Sequence, residues 1–339
     1  MKKLIPSLLA GAAALVFAVS PVQAQTQNKP HDKVTLMLNW YLYSEHAPFF
    51  LGKERGFYAD QGIDLDIQEG RGSAVTAQAV AAKSATFGYI DVTTMIKAAA
   101  KGAPLMCVGV LFQVSPMSVM AFSDKNIKTP KDIIGKTVAI TPGDSMSQMW
   151  PLFLKVNHIE PDQIKTVSGD AQTKLNAVIS GRADMLLGYV MDQAIKLQDA
   201  TGKSVTPIRF ADSGVNQISS GIIVNKDLLK ENPDLVRRFM LASTRAAEAA
   251  EKDPEAAVDA MLKAKPTAGV RKTLLVGLKQ SIALFHTKET AHQRPYRVDM
   301  KNVDDSLDLL VKYGGMDPAT RGKPQDYVTL DYLPPADGH

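Results

Sequence analysis

The chain has 339 residues, of which 45% are hydrophobic and 22% charged, and its formal net charge at pH 7 is +4. This charge is too small and too dispersed to indicate a nucleic-acid-binding protein, so no nucleic-acid partner is expected. The single cysteine, Cys107, has no second thiol for an internal disulfide and lies in an apolar run, which indicates a small buried residue. A length of about 300 residues suits two lobes of roughly 100–200 residues each.

Residues 1–24 have the pattern of a cleavable secretory signal peptide. Lys2 and Lys3 form a basic start, an apolar run covers 4–19, and small residues precede the expected cleavage site. The apolar run is short for a membrane-spanning helix. We therefore expect a periplasmic protein whose mature chain begins at Gln25.

Short apolar runs alternate with helical segments from Val34 to Phe122. This alternation is typical of an α/β fold with a parallel or mixed sheet. Pro48 and Gly56 mark the start and end of the first helix, and alternating hydrophobic residues mark the strands. The predicted strands are 34–39, 63–69, 86–91, 104–112 and 117–122, and the predicted helices are 46–55, 73–83 and 92–101.

A second, smaller α/β unit follows a polar segment at 123–126. A strand at 219–225 returns to the first unit, and the pattern beyond Asn232 is almost wholly helical. Two crossings between the units imply a two-stranded hinge, with a ligand cleft between lobes that can close. The second unit's predicted strands are 137–141, 164–168 and 183–188. The predicted domains are lobe 1, at 32–121 and 223–325, and lobe 2, at 122–222.

The run from Val34 to Glu69 resembles the opening of the periplasmic binding proteins related to thiamine pyrimidine synthase and to sulfonate-binding proteins. There an LNW motif is followed by H-x-P-x-F-L-A-like residues, then by K-G-(F/Y)-F and G-(I/L)-D. The matching residues here are Leu38, Asn39, Trp40, His46, Pro48, Leu51, Gly56, Phe57, Gly62, Ile63 and Asp64. The resemblance implies a type II-like, two-lobed periplasmic binding protein. We expect a monomer that delivers its ligand to an ABC permease and its ATPase in the inner membrane.

Polar and aromatic side chains at the carboxyl ends of the predicted strands are the candidate ligand contacts, because open α/β sheets bind ligands there. Asn39 and Trp40 end the first strand, and the Trp40 ring can stack on a flat ligand or pack under the sheet. His46 lies at the next helix start, where it contacts the ligand or caps the helix. The other candidates in the first lobe are Arg71, Tyr89, Asp91 and Gln113.

Two of these residues allow a second interpretation. Arg71, between two glycines, can clamp a carboxylate, sulfonate or phosphate, or it can be a solvated residue of a tight turn. Asp91 can bind the ligand from the cleft edge or cap the following helix.

The second lobe repeats the strand–turn–helix pattern at 141–145, where Asp144 or Ser145 is expected to cap a helix. The resemblance implies that the free N–H groups of this helix face the cleft. Tyr189, at the end of another strand, is predicted to form an aromatic wall opposite Trp40. The second-lobe candidates are Gly143, Asp144, Ser145, Gln148, Tyr189, Asp192, Asn216 and Ser219.

An enzyme and a binding protein are the two function classes to separate. The resembled synthase forms a Schiff base between a lysine and pyridoxal phosphate, and uses a histidine four residues later. The matching positions here are Ile90 and Thr94, and the stretch 215–219 lacks the cysteines of the synthase. Because an isoleucine cannot form an imine, we expect a binding protein without a cofactor or a metal.

The ligand is less defined than the fold. Aromatic walls favour a pyrimidine-like or other aromatic or heterocyclic compound. Arg71 and the helix N-termini leave open an anion such as a sulfonate or an aromatic carboxylate.

Overall fold

The computed structural model describes Met1 and residues 31–336, so the predicted signal peptide lies outside the residues described in detail. These residues form ten strands and eleven α-helices. The strands are β1 (Asp32–Met37), β2 (Ile63–Gln68), β3 (Phe87–Asp91), β4 (Leu105–Val110), β5 (Met117–Phe122), β6 (Thr137–Ile140), β7 (Lys165–Ser168), β8 (Met185–Tyr189), β9 (Val205–Arg209) and β10 (Ser220–Asn225). The helices are α1 (Ala47–Glu54), α2 (Ser73–Ala81), α3 (Val92–Ala99), α4 (Ser145–Val156), α5 (Ala171–Ile179), α6 (Ile195–Thr201), α7 (Lys226–Glu231), α8 (Pro233–Lys252), α9 (Pro254–Ala264), α10 (Arg271–Ile282) and α11 (Met300–Lys312).

The strands form two five-stranded mixed sheets with the same plan. The first sheet has the order β2-β1-β3-β10-β4, and the second has the order β7-β6-β8-β5-β9. In each sheet the first three strands are parallel, and the fourth is antiparallel to both of its neighbours. The carboxyl ends of β1, β3, β6 and β8 are therefore the sheet edges at which a ligand site is expected. The two-lobed α/β architecture predicted from the sequence is confirmed.

The two antiparallel strands carry the chain between the lobes. β5 pairs with β8 and β9 of the second sheet, whereas the sequence analysis placed this strand in the first lobe. All six residues of β5 are buried, so no alternation of polar and apolar residues distinguishes one sheet from the other. The first crossing therefore lies at 111–116, ahead of the predicted boundary at residue 122. The second crossing lies at 210–219, between β9 and β10.

Strand β9 was not predicted. It contains Pro207 and forms the edge of the second sheet beside β5. A proline cannot donate a hydrogen bond to a sheet ladder, so a proline-containing segment is a weak strand signal that an edge position nevertheless tolerates.

The C-terminal helices complete the first lobe. Helix α8 begins at Pro233, and the Asn232 side chain caps it by accepting a hydrogen bond from the Leu235 N–H at 3.1 Å. Its apolar face packs on the first sheet, where the Phe239 and Phe87 rings stack with centroids 3.8 Å apart. α1 packs against α8 and α9. No helix within residues 31–336 combines the length and hydrophobicity needed to cross a bilayer.

Candidate functional site

A cavity lies between the two sheets, where the parallel strands of both lobes end. The cavity is open to solvent, and the atom-free space between its walls, with the solvent at its mouth included, is about 340 Å³. Six of its lining residues were predicted from the sequence: Asn39, Trp40, Asp144, Ser145, Tyr189 and Asp192. Six were not among the predicted site residues: Tyr43, Ser73, Met146, Lys174, Gly188 and Gln193.

The first-lobe wall of the cavity is backed by a buried polar cluster of Asn39, Tyr43, Glu45 and His46. Asn39 follows β1, and its Nδ2 donates to Glu45 Oε1 at 2.7 Å. The Tyr43 hydroxyl donates to the same carboxyl oxygen. Nε2 of His46 lies 2.7 Å from Asn39 Oδ1, which assigns the ring proton to Nε2. Each side chain thus orients the next, and Asn39 and Tyr43 are held at the cavity surface.

This cluster carries little charge at neutral pH. Burial raises the pKa of Glu45 from its ordinary 4.5 to about 8, although hydrogen bonds from Tyr43 and Asn39 oppose that shift. Burial lowers the pKa of His46 from 6.5 to about 3. Glu45 is therefore mostly protonated and His46 neutral, with 3.6 Å between Nε2 and Oε1. The first-lobe wall offers oriented neutral polar groups rather than ions.

The second-lobe wall contains an ion pair between Asp144 and Lys174. Asp144 caps α4, with its Oδ1 accepting the Ser147 N–H at 2.7 Å. Its Oδ2 lies 3.4 Å from the ammonium of Lys174, which is only 2% exposed. The same ammonium lies 5.4 Å from the centroid of the Trp40 ring in the first lobe, at cation–π distance. Lys174 therefore connects the charged wall of one lobe to the aromatic wall of the other.

Asp192 places a second carboxylate on the second-lobe wall. It lies in a π-helical turn, Val190–Ala194, directly after β8, a backbone form that is often found at functional sites. Its Oδ1 lies 2.7 Å from the ammonium of Lys196 in an ion pair, and Gln193 donates to its Oδ2. Lys196 is partly exposed, whereas Asp192 is buried at the cavity.

A chain of hydroxyl contacts positions Tyr189 between the lobes. Asp91 caps α3 by accepting the Thr94 N–H at 2.9 Å, and its Oδ2 accepts the Ser219 hydroxyl at 3.1 Å. The Tyr189 hydroxyl lies 3.3 Å from Ser219 Oγ and 3.3 Å from Ser145 Oγ. Burial raises the pKa of Asp91 and of Tyr189. Asp91 and Ser219, both predicted ligand contacts, thus lie behind the cavity and support Tyr189 instead of lining it.

The lobes touch at the mouth of the cavity. The Ala74 N–H donates to the carbonyl oxygen of Gly143 at 3.3 Å, across the cleft. Gly72 has φ +130°, and a Cβ at this position would lie 2.5 Å from the same carbonyl oxygen. Gly143 was predicted as a ligand contact, but its role in the structure is this backbone contact between lobes. In the structure the two lobes therefore touch across the cleft, in a closed arrangement.

Arg71 and Asn216 do not reach the cavity. Both are exposed. Gly70 and Gly72 donate backbone hydrogen bonds to Trp40 O and Asn39 O at 3.2 and 2.9 Å, so the turn is tied down at both sides of Arg71. Asn216 lies between two buried residues, Val215 and Gln217, which leaves its own side chain in solvent.

Gln113 and Gln148 are also outside the cavity. Gln113 Nε2 donates to Phe285 O at 2.7 Å, and its Oε1 accepts the Thr290 hydroxyl, so it ties the first crossing to the C-terminal segment. Gln148 lies on the outer side of the cleft, where its carbonyl oxygen accepts a hydrogen bond from Lys97 at 3.0 Å.

Tyr89 and His46 are core residues of the first lobe. Tyr89 is fully buried, and its ring makes edge contacts with His46 and Phe49, at centroid distances of 6.0 and 5.1 Å. His46 reaches the cavity indirectly, through Asn39 and through the Tyr43 ring, whose centroid lies 4.6 Å from its own. The side chain of Tyr89 points under the sheet because neighbouring strand residues alternate between the two faces.

Lys174 is the most informative residue that sequence reasoning missed. A lysine within a helix is normally solvated, so nothing in its type indicated a cavity position. Its place in the chain did carry a signal: it lies in the first turn of α5, which follows β7 after a short loop and is capped by Asp170. Within residues 31–336, no group of three or more His, Cys, Asp or Glu side chains has the arrangement of a metal site.

Comparisons with known proteins agree with this architecture. The chain is 27% identical over 237 residues to a 4-amino-5-hydroxymethyl-2-methylpyrimidine phosphate synthase of Legionella pneumophila, with 69% of this chain and 74% of the relative covered. It is 26% identical over 282 residues to the riboflavin-binding protein RibY of Chloroflexus aurantiacus, with 81% and 79% covered.

A solved structure supports the fold. The periplasmic aliphatic sulphonate binding protein SsuA of Escherichia coli superposes with a TM-score of 0.65 at 15% identity, with 85% of this chain and 91% of that chain covered. The profile of the family described as NMT1/THI5 like matches residues 43–257, more than half of the chain. The resemblance predicted from the first strand–helix–strand unit is thus confirmed, and the chain belongs to the NMT1/THI5-like family.

Proposed function

We propose that this protein is the periplasmic solute-binding component of an ABC importer, and that it captures a small aromatic heterocycle with a pyrimidine-like ring. The observation that carries the proposal is the cavity between the lobes, lined by Trp40, Tyr43 and Tyr189 together with a few oriented polar groups. Ligand sites of this kind use aromatic faces for affinity and a small number of polar groups for orientation. The closed lobes would release the ligand to a membrane permease on opening.

The charges at the cavity favour a neutral or cationic ring over an anion. Asp144 and Asp192 contribute two carboxylates, and Lys174 contributes one ammonium. The first-lobe wall adds no charge, because Glu45 is mostly protonated at neutral pH. Since Lys174 is paired with Asp144 and Lys196 with Asp192, the described residues of the cavity have no excess of positive charge to attract a sulfonate or nitrate, and Arg71, the candidate anion clamp, is exposed. The names of the two relatives, which refer to a pyrimidine phosphate and to riboflavin, support a flat nitrogen heterocycle.

An enzyme of the synthase type is the alternative, since a relative carries that name. Ile90, at the position that the resemblance assigns to the Schiff-base lysine, is a fully buried residue of β3 and cannot form an imine. The lysine that does line the cavity is Lys174, on the opposite lobe. Incubation with pyridoxal phosphate should therefore give no imine absorbance. A stoichiometric imine that maps to Lys174 would favour the enzyme.

The direct test of the proposal is to identify the natural ligand. Protein purified from its native periplasm should release a nitrogen heterocycle on denaturation, which mass spectrometry would detect. In a Trp150→Phe background, Trp40 is the remaining one of two tryptophans and reports on the cavity. Its fluorescence should change saturably with 4-amino-5-hydroxymethyl-2-methylpyrimidine or riboflavin. Release of a sulfonate, with no response to either heterocycle, would contradict the proposed ligand class.

The export part of the proposal has a separate test. N-terminal sequencing of the protein from a periplasmic fraction should begin at Gln25. An intact Met1 in a membrane fraction would contradict it.

A further inference from the structure

Lys174 is an unusual side chain for a buried cavity, because lysines are almost never fully buried without a partner. In the described part of the chain its ammonium makes one hydrogen bond, to Asp144 Oδ2 at 3.4 Å. An ammonium carries three N–H groups. The face of the Trp40 ring stabilises the positive charge of Lys174, but it does not accept hydrogen bonds from the other two N–H groups. Two N–H groups of a rigidly placed cation are therefore available to a molecule in the cavity.

Both members of the pair are held by helix starts. Asp144 caps α4 through its Oδ1, which leaves Oδ2 for Lys174 and the cavity. Lys174 lies in the first turn of α5, one residue after Thr173, whose N–H is fixed by the Asp170 cap at 2.8 Å. Polar groups placed on rigid elements in this way recognise a ligand by geometry as well as by charge.

The pair presents a hydrogen-bond donor and an acceptor side by side, beside an aromatic face. The complementary shape is a planar group with an acceptor next to an N–H donor, which is the edge of a cyclic amide or an amidine. Both hydrogen bonds would be charge-assisted, and such bonds are stronger than neutral ones. An edge with two acceptors, such as a carboxylate, would be repelled by Asp144. An edge with two donors would place one N–H group against the ammonium of Lys174, which cannot accept a hydrogen bond.

We propose, resting on the function proposed above, that Lys174 and Asp144 recognise the amide or amidine edge of the ligand's ring and thereby determine its specificity. The ring nitrogen or carbonyl oxygen accepts from Lys174, and the adjacent N–H donates to Asp144. The ring face then lies against Trp40, next to the ammonium.

The test uses two probes in isothermal titration calorimetry. The first probe is 4-amino-5-hydroxymethyl-2-methylpyrimidine, whose ring nitrogen and amino group form an amidine edge. The second is its 4-methoxy analogue, which keeps the ring nitrogen and replaces the donor with an acceptor. The wild-type protein should bind the amino compound at least tenfold more tightly, because the analogue leaves the Asp144 carboxylate facing an acceptor.

Asp144→Asn tests the acceptor. Asparagine caps a helix as well as aspartate does, so α4 should be preserved. Its amide can donate to the methoxy oxygen, and the amino-to-methoxy preference should fall below threefold.

Lys174→Met tests the donor and should weaken binding of the amino compound at least tenfold. Lys174→Gln keeps an N–H donor and should recover part of the loss, which also guards against a variant that fails to fold. Lys53→Met is the matched control: Lys53 donates to Leu65 O at 2.5 Å within the first lobe, away from the cavity. It should change affinity less than twofold.

The outcomes separate this inference from the proposed function. If the wild-type protein binds both pyrimidines equally, the edge is not recognised, yet a pyrimidine-binding function stands. If Asp144→Asn and Lys174→Met lower the melting temperature without changing relative affinity, the pair is structural and the inference is wrong. If neither pyrimidine nor riboflavin binds, the ligand class and this inference fall together.

Discussion

The two walls of the cavity stabilise their buried polar side chains in different ways. In the first lobe, Asn39, Tyr43, Glu45 and His46 hydrogen-bond to one another and remain neutral. In the second lobe, Asp144 and Asp192 are charged groups, each within reach of a lysine. In the neutral network Asn39, Tyr43, Glu45 and His46 hold one another, with Glu45 Oε2 as the buried oxygen left without a partner among the described residues. An ion pair keeps donors and acceptors that a ligand can use. We therefore expect the first wall to orient the ligand and the second to select it.

The two tryptophans of the sequence, one in each lobe, provide the largest expected effects. Trp150 is stacked in the core of the second lobe, with its centroid 5.4 Å from that of Phe153. Trp150→Ala should cost ~3–5 kcal/mol of unfolding free energy. Trp40→Ala should cost much less stability but weaken ligand binding tenfold or more, because stacking contributes ~1 kcal/mol or more beyond area burial.

Denaturant midpoints and dissociation constants measured in parallel check this contrast. Unchanged affinity combined with a large loss of stability in Trp40→Ala would place Trp40 in the core and remove the main support for an aromatic ligand.

Gly72→Ala should prevent the two lobes, and with them the two walls of the cavity, from closing fully. The added Cβ would lie 2.5 Å from Gly143 O in the closed form, so closure should be impaired and affinity should fall at least tenfold. The control is Gly102→Ala, since Gly102 has φ +95° and no atom within 4 Å of the added Cβ. Both variants carry backbone strain of ~1–3 kcal/mol, but only the first meets the other lobe. Equal affinities in the two variants would show that the Gly72–Gly143 contact is not needed for binding.

Glu45 and His46, in the neutral first-lobe wall, should make the free energy of unfolding depend on pH. Between pH 4.5 and about 8, folded Glu45 keeps a proton that the unfolded chain has lost, so stability falls as pH rises. His46 acts oppositely between about pH 3 and 6.5, where the unfolded chain binds the extra proton. The Glu45 effect is therefore unopposed by His46 from pH 6.5 to 8.

Over this interval the wild-type protein should lose ~1–2 kcal/mol of unfolding free energy relative to Glu45→Gln, at 1.36 kcal/mol per pH unit. Urea unfolding of both proteins at several pH values measures it. A difference that stays constant from pH 6.5 to 8 would mean that Glu45 is already ionised in the folded state.

The smallest effects are expected at the exposed residues that sequence analysis assigned to the site. Arg71→Ala and Asn216→Ala should change ligand affinity less than twofold, because both side chains lie in solvent. Calorimetric titration of each variant checks this. A tenfold loss in Arg71→Ala would restore the anion-binding alternative and weaken the contrast between the walls.

Position at the end of a predicted strand was the sequence feature that best predicted the residues lining the cavity. Asn39, Trp40, Asp144, Ser145, Tyr189 and Asp192 follow strands of the two sheets, and all six line the cavity. Secondary structure was mostly predictable because period-two alternation and helix caps are local features. Arg71 and Asn216 lie outside the cavity because loop geometry decides where their side chains point. Lys174 was missed because its burial depends on Asp144, 30 residues away. The assignment of β5 failed because a wholly apolar strand fits either sheet.

The strand order has a consequence for how the molecule is made. All strands of the second sheet come from one continuous stretch, 117–209, whereas β10 must insert between β3 and β4 before the first sheet is complete. A chain that emerges from its N-terminus can therefore finish the second lobe first. Without β10, β4 has no partner strand that links it to β3. The first-lobe wall of the cavity is thus completed only after β10 has been made, and a nascent chain stopped before residue 220 would contain most of the cavity-lining residues and still lack a complete first sheet.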